Sequence, residues 1–333
     1  MPKLSLTEIR ALAVRVLEAA KTSPTNAAAV ADALADADAD GIASHGVSRL
    51  PSYADQALSG KVNGLAVPEV REAGSSALVV DAKDGFAYPA IDAGLARTLD
   101  LAPRTGVVAV AVRHSHHFGV AGHHVERLAE KGLAALAFGN SPAGIGPWGG
   151  NRALYGTNPI AFACPRAQEP PLVIDLSLSK VARGKIKLAA DKGEPIPEGW
   201  ATDAEGKPTT DAKAAMKGMM LPMGDAKGAQ LVLMVEILSA ALTGSHYGFE
   251  ASSFFDAKGP PPRVGQFFVA FDPVRFAGPG FAERLEVLLS AIVAQPGTRL
   301  PGQRRLKNRA KARAEGVDIP DDLYADLRKR AGA

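Results

Sequence analysis

Histidine is concentrated in one short stretch of this chain. Residues 109–122 read AVAVRHSHHFGVAG and hold three of the seven histidines, His114, His116 and His117. An imidazole takes up and releases protons near neutral pH, so the cluster indicates acid–base chemistry. Metal binding is a weaker interpretation, because the i, i+2, i+3 spacing has no cysteine or carboxylate close by. Any single one of these histidines could instead cap a helix or pack.

A second candidate group lies near the N-terminus. Residues 41–50 read GIASHGVSRL, which places Ser44 beside His45 and puts Arg49 four residues further on. A serine hydroxyl next to an imidazole can pass a proton, and a guanidinium fork can bind a carboxylate through two hydrogen bonds. The pattern suits an anionic substrate. A plain turn between two helices with a solvent-facing arginine would look the same.

A polar segment also follows the predicted strand 172–176. Ser177 and Ser179 end this strand, and Lys180, Arg183 and Lys185 come directly after it. Hydroxyls and cations at a strand end are a reasonable phosphate site. An ordinary helix N-cap with charged flanks is the alternative.

Basic residues gather in two further places. Lys227 stands at the start of a predicted apolar helix, where a cation opposes the helix dipole unless an anion is bound. The segment 301–313 reads PGQRRLKNRAKAR, and a helix face of this kind is usually solvated. A nucleic-acid-binding protein that uses this segment is a competing interpretation. The net charge of only +3 and the absence of interleaved aromatic residues count against it.

The elements that must position these groups follow from hydrophobic periodicity. Residues 107–112 are β-branched or small and predict a buried strand; a polar glycine turn and a helix from about Ala121 follow. Strand, turn and helix in this order place functional groups at a strand's carboxyl end, beside a helix N-terminus where anions bind. Further strands are predicted over 77–81, 133–138, 160–164 and 267–271.

Helices are predicted on both sides of this strand-rich region. The predicted segments are 6–21 with Thr7 as N-cap, 27–41, a helix from Pro89, 229–242, and 281–294 with Leu285, Leu288 and Leu289 inward. Residues 190–210 are rich in glycine and proline and are expected to be irregular. Asp36, Asp38 and Asp40 close the second helix, where acids oppose the dipole; we expect solvation to offset this.

Composition limits the class of protein. The chain has 333 residues, of which 47% are hydrophobic and 22% charged, as in a globular protein that binds neither membrane nor nucleic acid. Its single cysteine, Cys164, excludes an internal disulfide and fits a reducing cytoplasm. The longest apolar run, 231–242, is too short to span a bilayer and contains Glu236. We therefore expect a cytoplasmic location.

The usual dinucleotide fingerprints, G-x-G-x-x-G after a first strand and G-x-x-x-x-G-K-[ST], are absent from the sequence. Seven motifs nevertheless occur in a familiar order: Gly41-Ile-Ala-Ser-His-Gly-Val-Ser-Arg49, Ser115-His-His-Phe-Gly-Val-Ala-Gly122, Gly156-Thr-Asn-Pro159, Ala182-Arg-Gly-Lys185, Pro197-Glu-Gly-Trp200, Pro208-Thr-Thr-Asp211 and Pro301-Gly-Gln-Arg304. From about residue 4 to 327 the chain closely resembles the second type of malate/L-lactate dehydrogenase, the sulfolactate-dehydrogenase-like oxidoreductases. Asn140-Ser-Pro142, Pro147-Trp-Gly-Gly150 and Gly259-Pro-Pro-Pro-Arg-Val-Gly-Gln266 look most like the Δ1-piperideine-2-carboxylate/Δ1-pyrroline-2-carboxylate reductases.

The resemblance implies an α/β fold that binds a nicotinamide cofactor without the Rossmann topology, with a mixed sheet, flanking helices and helical termini. It implies a homodimer with active sites near the subunit interface. We expect residues 1–60 to pack with the helices of 280–333, around a cofactor- and substrate-binding region over 61–279.

Site residues follow from the same resemblance. It makes His45 the proton donor with Ser44 in its relay, and Asp191 the candidate that completes the relay. It places Arg49, Thr157, Arg183 and Gly184 on the substrate. It assigns NADPH, or NADH, to His117, Phe118, Gly119, Val120, Ala121, Asp175, Leu176, Ser177, Lys227, Gly228 and the segment Pro301, Gly302, Arg304, Arg305, Lys307. The cluster Arg304, Arg305 and Lys307 would favour NADPH by meeting its 2′-phosphate. No bound metal is expected.

The function that the resemblance implies is NADPH-dependent reduction of a cyclic ketimine carboxylate to L-pipecolate or L-proline. The alternative is a 2-hydroxy-acid dehydrogenase acting on malate, lactate, sulfolactate or ureidoglycolate, with the same residues. Two positions depart from the family pattern: Leu176 to Leu178 replace Met-Ala-Thr, and Asp225 stands where a second glycine is usual.

Overall fold

The computed structural model describes residues 1–332. Its helices are α1 (Leu6–Ala19), α2 (Pro24–Ala39), α3 (Leu50–Ser59), α4 (Ala87–Thr105), α5 (Ala121–Ala129), α6 (Arg183–Lys192), α7 (Ala212–Ala215), α8 (Asp225–Glu236), α9 (Pro273–Ala277), α10 (Phe281–Val293), α11 (Gln303–Glu315) and α12 (Asp321–Arg330). Its strands are β1 (Lys3–Leu4), β2 (Glu69–Gly74), β3 (Ala77–Asp81), β4 (Val107–Ser115), β5 (Ala134–Gly139), β6 (Ile160–Cys164), β7 (Leu172–Leu176), β8 (Ala201–Thr202), β9 (Pro208–Thr209), β10 (Val264–Phe271) and β11 (Val317–Asp318).

The centre of the fold is a seven-stranded sheet in the order β2-β3-β4-β10-β5-β6-β7. Only β3 and β4 pair in parallel, and every other neighbour is antiparallel. The late strand β10 lies between β4 and β5, with Phe268 opposite Val110 on one side and Ala137 on the other. This mixed sheet confirms the predicted non-Rossmann α/β class.

Helices α4 and α5 cover one face of the sheet. The β-branched residues of β4 alternate, so that Val108, Val110 and Val112 are buried against these helices while the residues between them are only half-buried. Because β4 ends in the polar turn and α5 starts after it, the predicted strand–turn–helix unit is confirmed. This unit places the turn between β4 and α5, which contains His116 and His117, at one edge of the core.

The N-terminal helices form a second core with the end of the chain. Leu12, Val16 and Leu34 pack with Tyr53 and with Leu327 of α12. Strand β1 pairs with β11, and this pairing joins the N-terminal and C-terminal segments. Helix α10 lies elsewhere, with its Glu286 paired to Arg166 beyond β6.

Three local expectations are wrong. The N-cap of α1 is Ser5, not Thr7: Ser5 Oγ accepts from Glu8 N at 3.2 Å, and the Glu8 carboxylate accepts from Ser5 N at 2.8 Å. This reciprocal capping box satisfies two helix-end donors at once. Leu288 is 59% exposed while Leu289 is 3% exposed, because α10 buries only a narrow stripe.

The third wrong expectation is that solvent surrounds the acidic residues at the end of α2. Asp38 and Asp40 are not solvated but buried, at 7% and 2% exposure. Their partners come from elsewhere in the chain and offset the dipole penalty. Asp36 is the one that lies at the surface, where it pairs with Arg10.

Among residues 1–332, no helix is long and apolar enough to cross a membrane.

Candidate active site

The candidate catalytic turn, residues 43–49, joins α2 to α3 as two short 3-10 turns, Ala43–His45 and Val47–Arg49. Ser44 Oγ lies 2.9 Å from His45 Nδ1, and Arg49 Nε donates to the Ser44 carbonyl at 2.7 Å. The structure thus brings the three predicted residues together. Gly46 is required here, because a Cβ would lie 1.9 Å from Asp38 Oδ1.

His45 is held in its neutral form. Burial, with the nearby charges of Arg49 and His123, lowers its pKa to about 4. Its Nδ1 is occupied by Ser44, and within the described chain no hydrogen bond is made by its Nε2. A neutral imidazole with a free Nε2 can accept a proton from a substrate hydroxyl.

Only one of the three clustered histidines joins this turn. The His117 ring lies 5.3 Å from that of His45, and its Nδ1 is 2.6 Å from the Tyr53 hydroxyl. His116 Nε2 instead meets Gln56 Oε1 at 2.8 Å, and His114 pairs with Asp81. The cluster that the sequence presents as one group is therefore divided between the site and two structural positions.

Two aromatic residues that the sequence analysis did not single out complete the wall of the site. The Arg49 guanidinium carbon lies 4.8 Å above the centre of the Phe255 ring. The neighbouring Phe254 is buried with its ring 5.3 Å from that of His117. Nothing in their sequence spacing indicated this, because they come from a loop about two hundred residues away.

A groove runs beside the turn. It is lined by Ile42, Val120, Gly122, Val173, Asp175, Arg299, Leu300, Pro301, Gly302, Gln303, Arg304 and Arg305. Six of the predicted cofactor residues, from three separate segments, therefore meet in one place: Val120, Asp175, Pro301, Gly302, Arg304 and Arg305.

The groove suits a phosphate-bearing cofactor. Helix α11 starts at Gly302 with no side-chain cap, so its first backbone N–H groups are available to an anion. The β7 carboxylate Asp175 accepts from Gly122 N at 2.7 Å, and a Cβ on Gly122 would lie 2.9 Å from that carboxylate. Asp175 therefore packs closely against the start of α5 and satisfies one of its backbone N–H groups beside the groove.

Other predicted cofactor residues flank the groove. Phe118 is buried against Gly139, and Gly119 has a φ of +69° with Tyr88 close by. The Ser177 hydroxyl meets Ser179 at 2.8 Å and Leu176 is exposed. Lys227 and Lys307 are exposed and, in the part of the chain that the structure describes, do not line the groove.

Helix α11, which contains most of the basic segment 301–313, does not simply expose its cations to solvent. Arg305 reaches Glu126 at 2.6 Å and Asp40 at 3.3 Å, and Arg309 reaches the same two carboxylates at 2.9 and 2.7 Å. His123 Nε2 lies 2.7 Å from Asp40. We call these five residues the buried ion cluster. Burial alone would raise the pKa of Asp40. Its hydrogen bonds and charge interactions with His123 and Arg309 outweigh that effect and hold the pKa at about 2.

Arg305 belongs to this cluster and also lines the groove. Its side chain is 12% exposed and paired with two carboxylates, whereas Arg304 is exposed at the groove. The cofactor roles of both arginines stay predictions.

Predicted substrate residues lie in several local settings. Arg183 donates to the Met216 carbonyl at 2.8 Å, and Gly184 is exposed on α6. Thr157 N donates to Ser141 Oγ at 3.2 Å. Asp191 pairs with Lys187 on the surface of α6 at 2.6 Å rather than with His45. The roles of these four residues stay predictions.

The two departures from the family pattern are accommodated in the structure. Asp225 has a φ of +53°, the left-handed conformation that a glycine would adopt without strain. Its carboxylate is exposed, 3.8 Å from Lys180. Leu178 is fully buried in the core cluster that also contains Ile145.

The site therefore combines a Ser–His–Arg turn with a groove, on a mixed sheet that is not of the Rossmann type. The chain belongs to the malate/L-lactate dehydrogenase family, whose model matches residues 4–328. It is an NAD(P)H-dependent oxidoreductase.

Relatives of two substrate classes resemble the chain over almost its whole length. The (2R)-3-sulfolactate dehydrogenase (NADP(+)) of Chromohalobacter salexigens is 56% identical over 98% of both chains. The Δ1-pyrroline-2-carboxylate/Δ1-piperideine-2-carboxylate reductase of Pseudomonas aeruginosa is 41% identical, again over 98% of both. The crystal structure of Δ1-piperideine-2-carboxylate reductase from Pseudomonas syringae superposes with a TM-score of 0.94 at 38% identity, covering 99% of this chain and 100% of that one.

Proposed function

We propose that this enzyme interconverts a 2-hydroxy acid of the 3-sulfolactate kind and the corresponding 2-keto acid, with NADP(H) as the redox partner. The observation that carries the proposal is the neutral His45 between Ser44 and Arg49. The 56% identity to a sulfolactate dehydrogenase supports the choice of substrate class. This reverses the order of the two functions expected from the sequence.

In the oxidation direction, His45 accepts the proton of the substrate hydroxyl at Nε2. Ser44 holds Nδ1 and so keeps the ring in one orientation. Arg49 binds the carboxylate next to the reacting carbon, which places the hydroxyl within reach of His45. The bound nicotinamide supplies the hydride chemistry at that carbon. In reduction the proton returns from His45 to the new hydroxyl oxygen.

The cofactor site supports NADPH. The α11 N-terminus and Arg304 offer a phosphate two kinds of anion contact in one groove. The cofactor lies along Val120, Asp175 and the segment 301–305 in this proposal.

The rest of the substrate pocket is part of the proposal as well. Thr157, Arg183 and Gly184 face the substrate, Asp191 completes the relay, and two copies of the chain form a dimer near whose interface the sites lie. In the described chain Asp191 pairs with Lys187 and not with His45. In this proposal the relay carboxylate therefore reaches His45 from the second copy of the chain.

Reduction of a cyclic ketimine carboxylate is the second candidate. The relatives at about 40% identity and the structure with a TM-score of 0.94 carry that name. The same Arg49 would bind the imine carboxylate, and His45 would hold the proton that the imine needs to accept a hydride.

The test is NADPH consumption at 340 nm with 3-sulfopyruvate, oxaloacetate, pyruvate and Δ1-piperideine-2-carboxylate, run side by side. We expect the highest kcat/KM with 3-sulfopyruvate and, in reverse, NADP+ reduction by (2R)-3-sulfolactate. A higher kcat/KM with the imine would move the enzyme to the second candidate. Absence of turnover with all four would contradict both.

A further inference from the structure

A buried lysine lies behind the active-site wall. Lys61 lies two residues after the end of α3, the helix whose N-cap residue is Arg49. The Lys61 side chain is 1% exposed. A buried ammonium is costly unless all three of its N–H groups find acceptors.

The acceptors are three backbone carbonyls of a single loop. Lys61 Nζ donates to Ser253 at 2.6 Å, to Lys258 at 2.7 Å and to Asp256 at 3.0 Å. The Asp256 carboxylate adds a charge at 3.8 Å. One side chain therefore fixes the path of the whole 253–258 loop, which has no regular secondary structure.

A side chain of α3 itself holds the same loop. Gln56 Nε2 donates to the Phe254 carbonyl at 2.8 Å, while its Oε1 meets His116. Helix α3 and the lysine that follows it therefore bind the loop at four carbonyl oxygens. The helix and the loop behave as one unit, although about two hundred residues separate them in the chain.

The unit of α3 and the 253–258 loop supports Arg49, the arginine proposed to bind the substrate carboxylate. Phe255 is 70% exposed and buries little surface, yet its ring lies under the Arg49 guanidinium at 4.8 Å. With Nε on the Ser44 carbonyl and the ring on one face, Arg49 has few orientations left. Within residues 1–332 its two terminal nitrogens make no hydrogen bond and can bind a carboxylate.

We propose that Lys61 is a positioning residue for substrate binding: it fixes the 253–258 loop so that Phe255 holds Arg49 in its carboxylate-binding orientation. This inference rests on the proposed role of Arg49. It concerns substrate affinity, since neither Lys61 nor the loop lines the cofactor groove among residues 1–332.

The test compares Lys61→Met, Phe255→Leu and the double variant with the unchanged protein. KM and kcat are measured with 3-sulfopyruvate, or with Δ1-piperideine-2-carboxylate if that is turned over faster, and the NADPH Kd by fluorescence. We expect each single variant to raise the substrate KM about fivefold, the scale of a lost cation–π contact to an exposed ring, with the NADPH Kd changed less than twofold. The double variant should show no more than the larger single effect, because both changes act through the same contact.

Lys258→Met is the matched control, since it removes a charge from the same loop but leaves the carbonyl that Lys61 binds. Its KM should stay within twofold. An unchanged KM in folded Lys61→Met, or single effects that multiply in the double variant, would overturn the inference. If Lys61→Met does not fold, Phe255→Leu decides alone, because an exposed ring can be shortened without loss of the fold and an unchanged KM would then be decisive against it.

Arg49→Ala separates this inference from the proposed function. A large rise in KM for Arg49→Ala with no change for Lys61→Met and Phe255→Leu would overturn the inference and leave the proposed function intact. An unchanged KM for Arg49→Ala would overturn both.

Discussion

At the scale of single residues, the proposed chemistry rests on the protonation state of His45. Its pKa of about 4 leaves it neutral at physiological pH, so its free nitrogen is unprotonated and can accept a proton. The structure separates it from histidines that look equivalent in the sequence, such as His114, which pairs with Asp81.

Replacing His45 should remove turnover but not cofactor binding. We expect His45→Ala to lower kcat by about a hundredfold or more, the usual contribution of a positioned acid–base group. NADPH titration by fluorescence should give an unchanged Kd. His114→Asn is the control, because asparagine tolerates the left-handed φ of +47° at this position. Equal kcat values for His45→Ala and the unchanged enzyme would exclude the role given to His45.

Replacing Arg304 should weaken the choice of NADPH over NADH. We expect Arg304→Ala to raise the KM for NADPH about tenfold and to leave the KM for NADH nearly unchanged, because only NADPH has the 2′-phosphate. Lys311→Ala is the control, an exposed cation of the same helix that is not assigned to the cofactor and does not line the groove in the described chain. A parallel rise for both cofactors would mean that Arg304 does not distinguish them.

At the scale of elements, the buried ion cluster joins three helices behind the cofactor groove. Asp40 follows α2 and leads into the candidate catalytic turn, Glu126 lies on α5, and Arg305 and Arg309 lie on α11. Removing one member leaves the opposite charges buried and unpaired, which costs more than the pair itself is worth.

Glu126→Gln should therefore destabilise the fold strongly. We expect a loss of about 3 kcal/mol in the free energy of unfolding, measured from urea midpoints. Glu72→Gln is the control, because the Glu72–Arg97 pair lies at the surface and should be worth less than about 1 kcal/mol. Similar midpoints for the two variants would show that the cluster contributes no more than a surface pair.

Which elements the sequence could predict depends on whether their signal is local. β6 and β7 have the predicted bounds because short apolar runs between polar turns are typical of strands. The groove residues came from the family resemblance. The ion cluster and the contacts of Lys61 with its loop could not be predicted, because they join residues separated by 83 to 269 positions and no local pattern marks them.

At the scale of the whole molecule, buried neutral histidines determine the response to acid. Burial lowers the pKa of His45 to about 4 and of His116 and His124 to about 3. Between these values and the ordinary value of about 6.5 the unfolded chain binds protons that the folded chain does not. Each such histidine makes the fold less stable by about 1.4 kcal/mol per unit of falling pH. Asp38 acts in the opposite sense, because burial raises its pKa to about 6.

Burial also lowers the pKa of His117 well below its ordinary value, and it raises the pKa values of Asp175 and Glu236. We accordingly expect the free energy of unfolding to fall as the pH is lowered from 6.5 to 4.5, because the four buried histidines outnumber the three carboxyl groups whose pKa is raised. Urea midpoints at pH 7, 6, 5 and 4.5 measure this slope. His124→Gln keeps much of the side-chain volume, cannot titrate, and should flatten the curve by about one proton. A constant midpoint over the range would show that the buried histidines do not set acid stability.

The central position of β10 also bears on how the chain is made. Residues 264–271 fill the gap between β4 and β5, so both inner edges stay open until residue 271 has been synthesised. Open strand edges pair readily with other chains, and pairing across such a sequence distance is slow. The sheet therefore cannot close until β10 has emerged from the ribosome, and the nascent chain exposes two pairing edges during that interval.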